Sequence, residues 1–218
     1  MPERNAPAIM QKNADLTWKK QPLYDTFLTA AGGGGVATVP FFQVPQGAIG
    51  SGFVAPGKSL SETNMTEPGT LGFPNQFLLY GFQLMAFLPS VAGGATSNTD
   101  ADFQAIYNTG VFRFIRGANK IELEVPLDRI PTGPGPYGFA STAVLGTPLE
   151  AVRINNGVPH TSHYYNFRNP SGNEEPLLID GTQSFRCELV YGGVAGNLIT
   201  VAATRLKCYM LGVKGSEN

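Results

Sequence analysis

The chain has 218 residues, only 14% of them charged, and its 15 Lys and Arg nearly cancel its 16 Asp and Glu, for a formal net charge of −1. That balance excludes a protein that condenses nucleic acid through bulk positive charge, and so little charge disfavours an architecture of many solvated helix faces. With 27 Gly and 17 Pro but no collagen period or low-complexity tract, the composition points to many short strands joined by turns.

Residues 1 to about 22 read as an extended N-terminal arm, mixed in charge and without periodicity, in which Trp18 precedes Lys19 and Lys20. The segment lacks the apolar core of a signal peptide, so export by that route is not expected, and no apolar run is long enough for a transmembrane helix. Residues 23–218 are expected to form one domain. LYDTFLTA and VATVPFFQV read as its first strands, with the run Gly32–Gly35 as the turn between them.

From Gly52 to Ser59 the sequence GFVAPGKS fits the phosphate-binding pattern G-x-x-x-x-G-K-[ST] letter for letter. In such a loop, Lys58 reaches the terminal phosphates and Ser59 holds Mg²⁺, while a helix after it aims its N-terminus at the anion. Here the residues after Ser59 are LSETNMTEPG, polar and closed by a Pro-Gly breaker. With no repeated βα unit elsewhere, the match is read as a coincidence in a glycine-rich loop.

The segment from Gln76 to Leu88 is the most apolar in the chain. Apolar side chains on both parities predict a strand buried on both faces, with a bulge or close backbone approach at Gly81. A short helix is expected next: Asn98 or Thr99 caps it, Phe103, Ile106 and Tyr107 share a face, and Gly110 ends it. GVFRFIRG and KIELEV, joined through Gly117-Ala118-Asn119, read as a hairpin in which Ile121, Leu123 and Val125 face one way. The Pro- and Gly-rich loop PLDRIPTGPGPYGF, with Tyr137, comes after it as an ordered surface or interface element.

Further strands are expected at TPLEAVRI, HYYNF, EPLLI, SFRCELVY, LITVA and RLKCYMLGV. Cys187 and Cys208 alternate with charged or polar neighbours and are read as buried, reduced thiols. The only histidines, His160 and His163 in PHTSH, lack the i, i+4 helical spacing and intervening Glu of a zinc protease, and an iron site would need a carboxylate placed beside both. They are read as loop or strand residues, with a pH-sensitive contact as the alternative. No nucleophile or carboxylate constellation points to an enzyme. No catalytic, cofactor-binding or metal residue is expected, nor a specific small-molecule ligand. Tyr164 and Tyr165 are candidates for apolar area offered to a partner.

The succession of the polar leader LSETNMTEPGTLGFP, the strand NQFLLYGFQLMAF, a small helix, the Gly117 hairpin and the pair SFRCELVYGG…RLKCYMLGV resembles the jelly-roll coat proteins of small icosahedral viruses, most like those of bacteriophages, over roughly residues 36 to 213. The resemblance implies a single jelly-roll β-sandwich of about eight to ten antiparallel strands that self-assembles into a virion shell in the host cytoplasm. Its partners would be other copies of itself and minor capsid proteins, and its arm would contact membrane or genome. The expected self-assembly contacts are Trp18, Lys19, Lys20, Tyr137, Tyr164 and Tyr165. The alternative is a carbohydrate- or receptor-binding β-sandwich head, which would present clustered aromatics with polar partners.

Overall fold

The computed structural model describes residues 16–30, 35–87, 99–131, 139–140, 143–144, 147–148, 152–153, 165–167, 174–192, 196–200 and 203–217. Its strands are β1 (Thr17–Lys20), β2 (Leu23–Leu28), β3 (Thr38–Phe41), β4 (Gln76–Phe87), β5 (Val111–Arg116) and β6 (Lys120–Pro126). The short strands β7 (Phe139–Ala140), β8 (Ala143–Val144), β9 (Thr147–Pro148), β10 (Val152–Arg153) and β11 (Tyr165–Asn166) come next, then β12 (Leu177–Asp180), β13 (Phe185–Val190) and β14 (Arg205–Ser216). The helix α1 (Thr99–Thr109) lies between β4 and β5, as its capping and breaker residues predict. The fold is all-β.

Ten strands form two antiparallel sheets. In the first, the long strand β14 pairs β4 along one side and both β1 and β2 along the other, and β4 in turn carries β11 and β12. The second runs β3-β13-β5-β6. Two small ribbons, β7 with β10 and β8 with β9, stand apart from them. The pairing is nested: β2 with β14, β3 with β13, β4 with β12, and β5 with β6 at the innermost turn. Gly117 and Asn119 take positive φ there, as a tight hairpin needs.

The two sheets face each other across one core. The Phe82 ring of β4 lies 4.9 Å from Phe112 and 5.2 Å from Phe114 of β5, and Leu206, Cys208 and Met210 alternate inward from β14 against Phe185, Cys187 and Leu189 of β13. Both cysteines are buried and free, as their parity predicts. Burial pushes the Cys187 thiol well above its ordinary range, and a hydrogen bond with Cys208 adds to this.

Two bulges decide which side chains reach that core. In β4, Leu211 of β14 stands opposite Gly81 and Gly212 opposite Leu79, so Tyr80 is the extra residue. The inward parity therefore changes from Phe77 and Leu79 to Phe82, Leu84 and Ala86. Leu78 and Met85 are also buried, so the expectation of burial on both faces holds, with the bulge beside Gly81. In β6 the extra residue is Glu122, between the pairs Phe114↔Leu123 and Ile115↔Ile121. This corrects the uninterrupted alternation expected from KIELEV. Leu123 and Val125 pack against the core, whereas Ile121 is turned out and half exposed.

Candidate functional site

The connection from Phe42 to Asn75 carries the most unusual features of the molecule. It lies along the outer edge of β2 and satisfies that edge with its own backbone. Leu28 N–H donates to Ser51 O and Asn64 N–H to Tyr24 O, while Tyr24 N–H donates to Asn64 Oδ1. Thr26 Oγ1 bonds Glu62 O, Tyr24 OH bonds Leu60 O, and Lys207 Nζ reaches from β14 to Ser61 O. An edge that would otherwise template the pairing of another chain is thereby covered. Gly52 allows the closest approach: with φ +83°, a Cβ there would stand 1.9 Å from Leu28 O.

Beneath this cover lies Lys58, the residue that gives GFVAPGKS its resemblance to a phosphate loop. It reaches inward to Asp25 of β2, Nζ to Oδ1 2.8 Å, with both side chains at 0% exposure. Asp25 shares the inward parity of Leu23 and is in register with Cys208, so its carboxylate projects into the sandwich. Its second oxygen, Oδ2, accepts the Phe42 N–H at 2.7 Å, and Thr63 adds a side-chain hydrogen bond. Phe42 holds that N–H in place with φ +67°, a conformation bulky residues rarely adopt. Burial raises the Asp25 carboxyl above its usual range and lowers the Lys58 ammonium below its own, the attraction between them opposing both shifts. An inward lysine aimed at a carboxylate has no reach toward a phosphate. The reading of GFVAPGKS as no NTP site agrees with this geometry, whereas sequence reasoning missed the partner of Lys58. The signal was available in LYDTFL, where an Asp occupies a core parity and so requires a buried cation or donor.

The same connection holds four large apolar side chains outward, among exposed polar residues such as Gln46, Ser61 and Glu67. Phe73 is 80% exposed and Val54 78%, and Ile49 and Leu60 are also well exposed. Large apolar side chains held outward on a hydrogen-bonded loop are the kind of surface a partner covers.

The expected contact residues are dispersed. Trp18, Lys19 and Lys20 form most of β1, so the final part of the expected arm is strand, paired with the end of β14. The Trp18 ring packs over Gly215, and its Nε1–H is buried without a hydrogen-bond partner among the described residues. Lys19 and Lys20 are exposed, Lys19 lying directly opposite Lys214. Tyr165 pairs with Phe82 in register and packs against the core, which leaves it half-buried. Tyr137, Tyr164, His160 and His163 lie outside the described residues. Among the described residues, no group of three or more His, Cys, Asp or Glu is placed to hold a metal ion, and no helix is long and apolar enough to cross a membrane.

The fold and this site define a class, an antiparallel two-sheet β-sandwich with one edge sealed over a buried Lys–Asp pair. The sequence matches no family model, and no curated protein or solved structure is a significant match to it.

Proposed function

We propose that the chain is a structural coat protein whose copies assemble into a closed icosahedral virion shell. The observation that carries this reading is the 42–75 connection, which offers Phe73, Val54, Ile49 and Leu60 to the outside from a backbone held by hydrogen bonds to β2 over residues 51–64 and by its own turns at Gly69 and Gly72–Asn75. A preordered apolar surface docks without the entropy cost of freezing a loop, and modest contacts of this kind add up when symmetry repeats them.

The nested pairing supports a jelly roll. Strands β2, β14, β4 and β12 share one sheet and β3, β13, β5 and β6 the other, the order left when a long antiparallel ribbon is rolled up so that successive pairs alternate between sheets. Viral coats are one use of that fold among several, so the function rests on the surface and not on the fold. On this reading the protein is not an enzyme and its main partners are copies of itself, with minor capsid proteins and a membrane or genome as further ones. Its place is the virion, assembled in the host cytoplasm. Lys19, Lys20 and Lys214 at one corner of the first sheet are the basic residues nearest to such a contact.

Light scattering and negative-stain imaging across salt and pH test the reading. Closed particles tens of nanometres wide are expected from the wild type, and Phe73→Asp is expected to leave unassembled subunits with unchanged thermal stability. A monomer or lone trimer under every condition would overturn self-sufficient assembly and favour a binding head.

A further inference from the structure

We propose that Lys58 and Asp25 are joined by an intramolecular amide bond that forms spontaneously once the sandwich has folded. Four observations carry this. The amine nitrogen stands 2.8 Å from Asp25 Oδ1, so it is already in contact with the carboxyl group whose Cγ it would attack. Both side chains are wholly buried, which excludes competing water and disfavours hydrolysis of the product. The strained Phe42 directs its N–H at Oδ2, 2.7 Å away, where negative charge develops as the carbonyl carbon becomes tetrahedral.

The fourth observation concerns the donors of Lys58. An ammonium has three N–H groups, and among the described residues Asp25 is the one hydrogen-bond acceptor of Lys58 Nζ; the Phe53 ring, 5.8 Å from it, and the more distant charge of Glu62 act on it without accepting a hydrogen bond. A charged lysine buried with a single acceptor costs more than a neutral amine or an amide, which have fewer N–H groups to satisfy and no charge to desolvate. The directions in which burial moves both groups are consistent with this, since a neutral amine and a neutral carboxylic acid are the reacting forms.

The step balances without any co-reactant. The Lys58 nitrogen lone pair attacks Asp25 Cγ and a C–N bond forms. One nitrogen proton passes to the Oδ1 hydroxyl, the Cγ–Oδ1 bond breaks, and water leaves. Oδ2 remains as the amide oxygen, still accepting the Phe42 N–H. Nothing is oxidised or reduced.

The test is a tryptic digest of the soluble full chain, checked for a cooperative melt and then denatured. Trypsin cuts after lysine only when its side chain is free. An unlinked chain yields the peptides 21–58 and 59–113. The amide yields instead one peptide, 21–113, lighter by one water, with the 21–58 peptide essentially lost. A dehydrated Asp25 without a link would still be cut at Lys58, so it is distinguishable. In Lys58→Arg, cleavage at position 58 is expected to return and the mass deficit to vanish. Asp25→Asn is expected to give the same 21–113 peptide mass, with ammonia leaving in place of water. Full recovery of an unmodified 21–58 peptide from folded wild-type protein would overturn the proposal and leave a purely ionic buried pair.

Discussion

Phe82 offers the most direct test of how the two sheets hold together. Its ring is wholly buried and lies within 6 Å of three others: Phe112 at 4.9 Å, Phe114 at 5.2 Å and Phe167 at 5.7 Å. Phe82→Ala removes the transfer free energy of the ring and leaves a cavity, at a cost of about 3–5 kcal/mol. The upper half of that range is expected. Phe112 and Phe114 are fixed in β5, between β6 and β13, and cannot collapse into the space without moving the second sheet. In a domain of this size each kcal/mol lowers Tm by about 2–4 °C, so the variant should melt roughly 8–20 °C below wild type. Phe82→Leu keeps most of the apolar volume but loses three aromatic contacts of about 0.5–1.5 kcal/mol each, and should fall between the two. Calorimetry or circular-dichroism melts measure both, and a urea titration should show a lower midpoint at unchanged slope. If Phe82→Ala melts within about 3 °C of wild type, the ring cluster is not what joins the sheets and the energetic account fails.

The same geometry sets three further outcomes. Gly52→Ala would force a Cβ to within 1.9 Å of Leu28 O, so the connection should lift from β2, and limited proteolysis should cut within 42–75 while the wild type resists. Gly212→Ala drives a Cβ to within 2.2 Å of Leu78 O and against the Phe77 ring, and should weaken the β14–β4 pairing enough to reduce soluble yield; yield and melting like wild type would contradict the close packing at that register shift. Burial pushes the Tyr107 and Tyr191 phenols far above their ordinary value, so the folded chain keeps protons that the unfolded chain releases from about pH 10. Stability should therefore hold below about pH 10 and fall as pH rises beyond it. Tyr191→Phe should cost about 1 kcal/mol at neutral pH for the lost bond to Ile106 O, and should make the alkaline decline shallower; an unchanged slope would refute that assignment.

Local pattern carried much of the architecture. Alternation marked SFRCELVY and RLKCYMLGV as strands with inward cysteines, and turn chemistry marked the Gly117 hairpin, because those features depend on neighbours in sequence. The orientation of Ile121 was not legible, since a single extra residue at Glu122 reverses the parity and nothing local announces it. The pairing of Trp18-Lys19-Lys20 within the expected arm was not legible because its partner lies far along the chain, at Val213–Gly215. Lys58 shows the same limit at the candidate site. Its motif suggested an anion in solution, while its partner, a carboxylate 33 residues earlier, becomes visible only when β2 is placed with its Asp inward.

The nested pairing also sets an order of events for a chain made from its N-terminus. β2 leaves the ribosome well before its partner β14, which begins at Arg205, and β1 and most of β4 wait for that same strand. Until then the most apolar segment of the protein has no lateral neighbour on that side, and the contacts that would close the first sheet are separated by most of the chain length. The innermost hairpin, β5 with β6, needs only its own turn and can form early. A ribosome stalled before residue 205 would therefore hold a chain whose first sheet is open, with its apolar strand β4 unpaired by β14, a form exposed to aggregation or to capture by a holding chaperone.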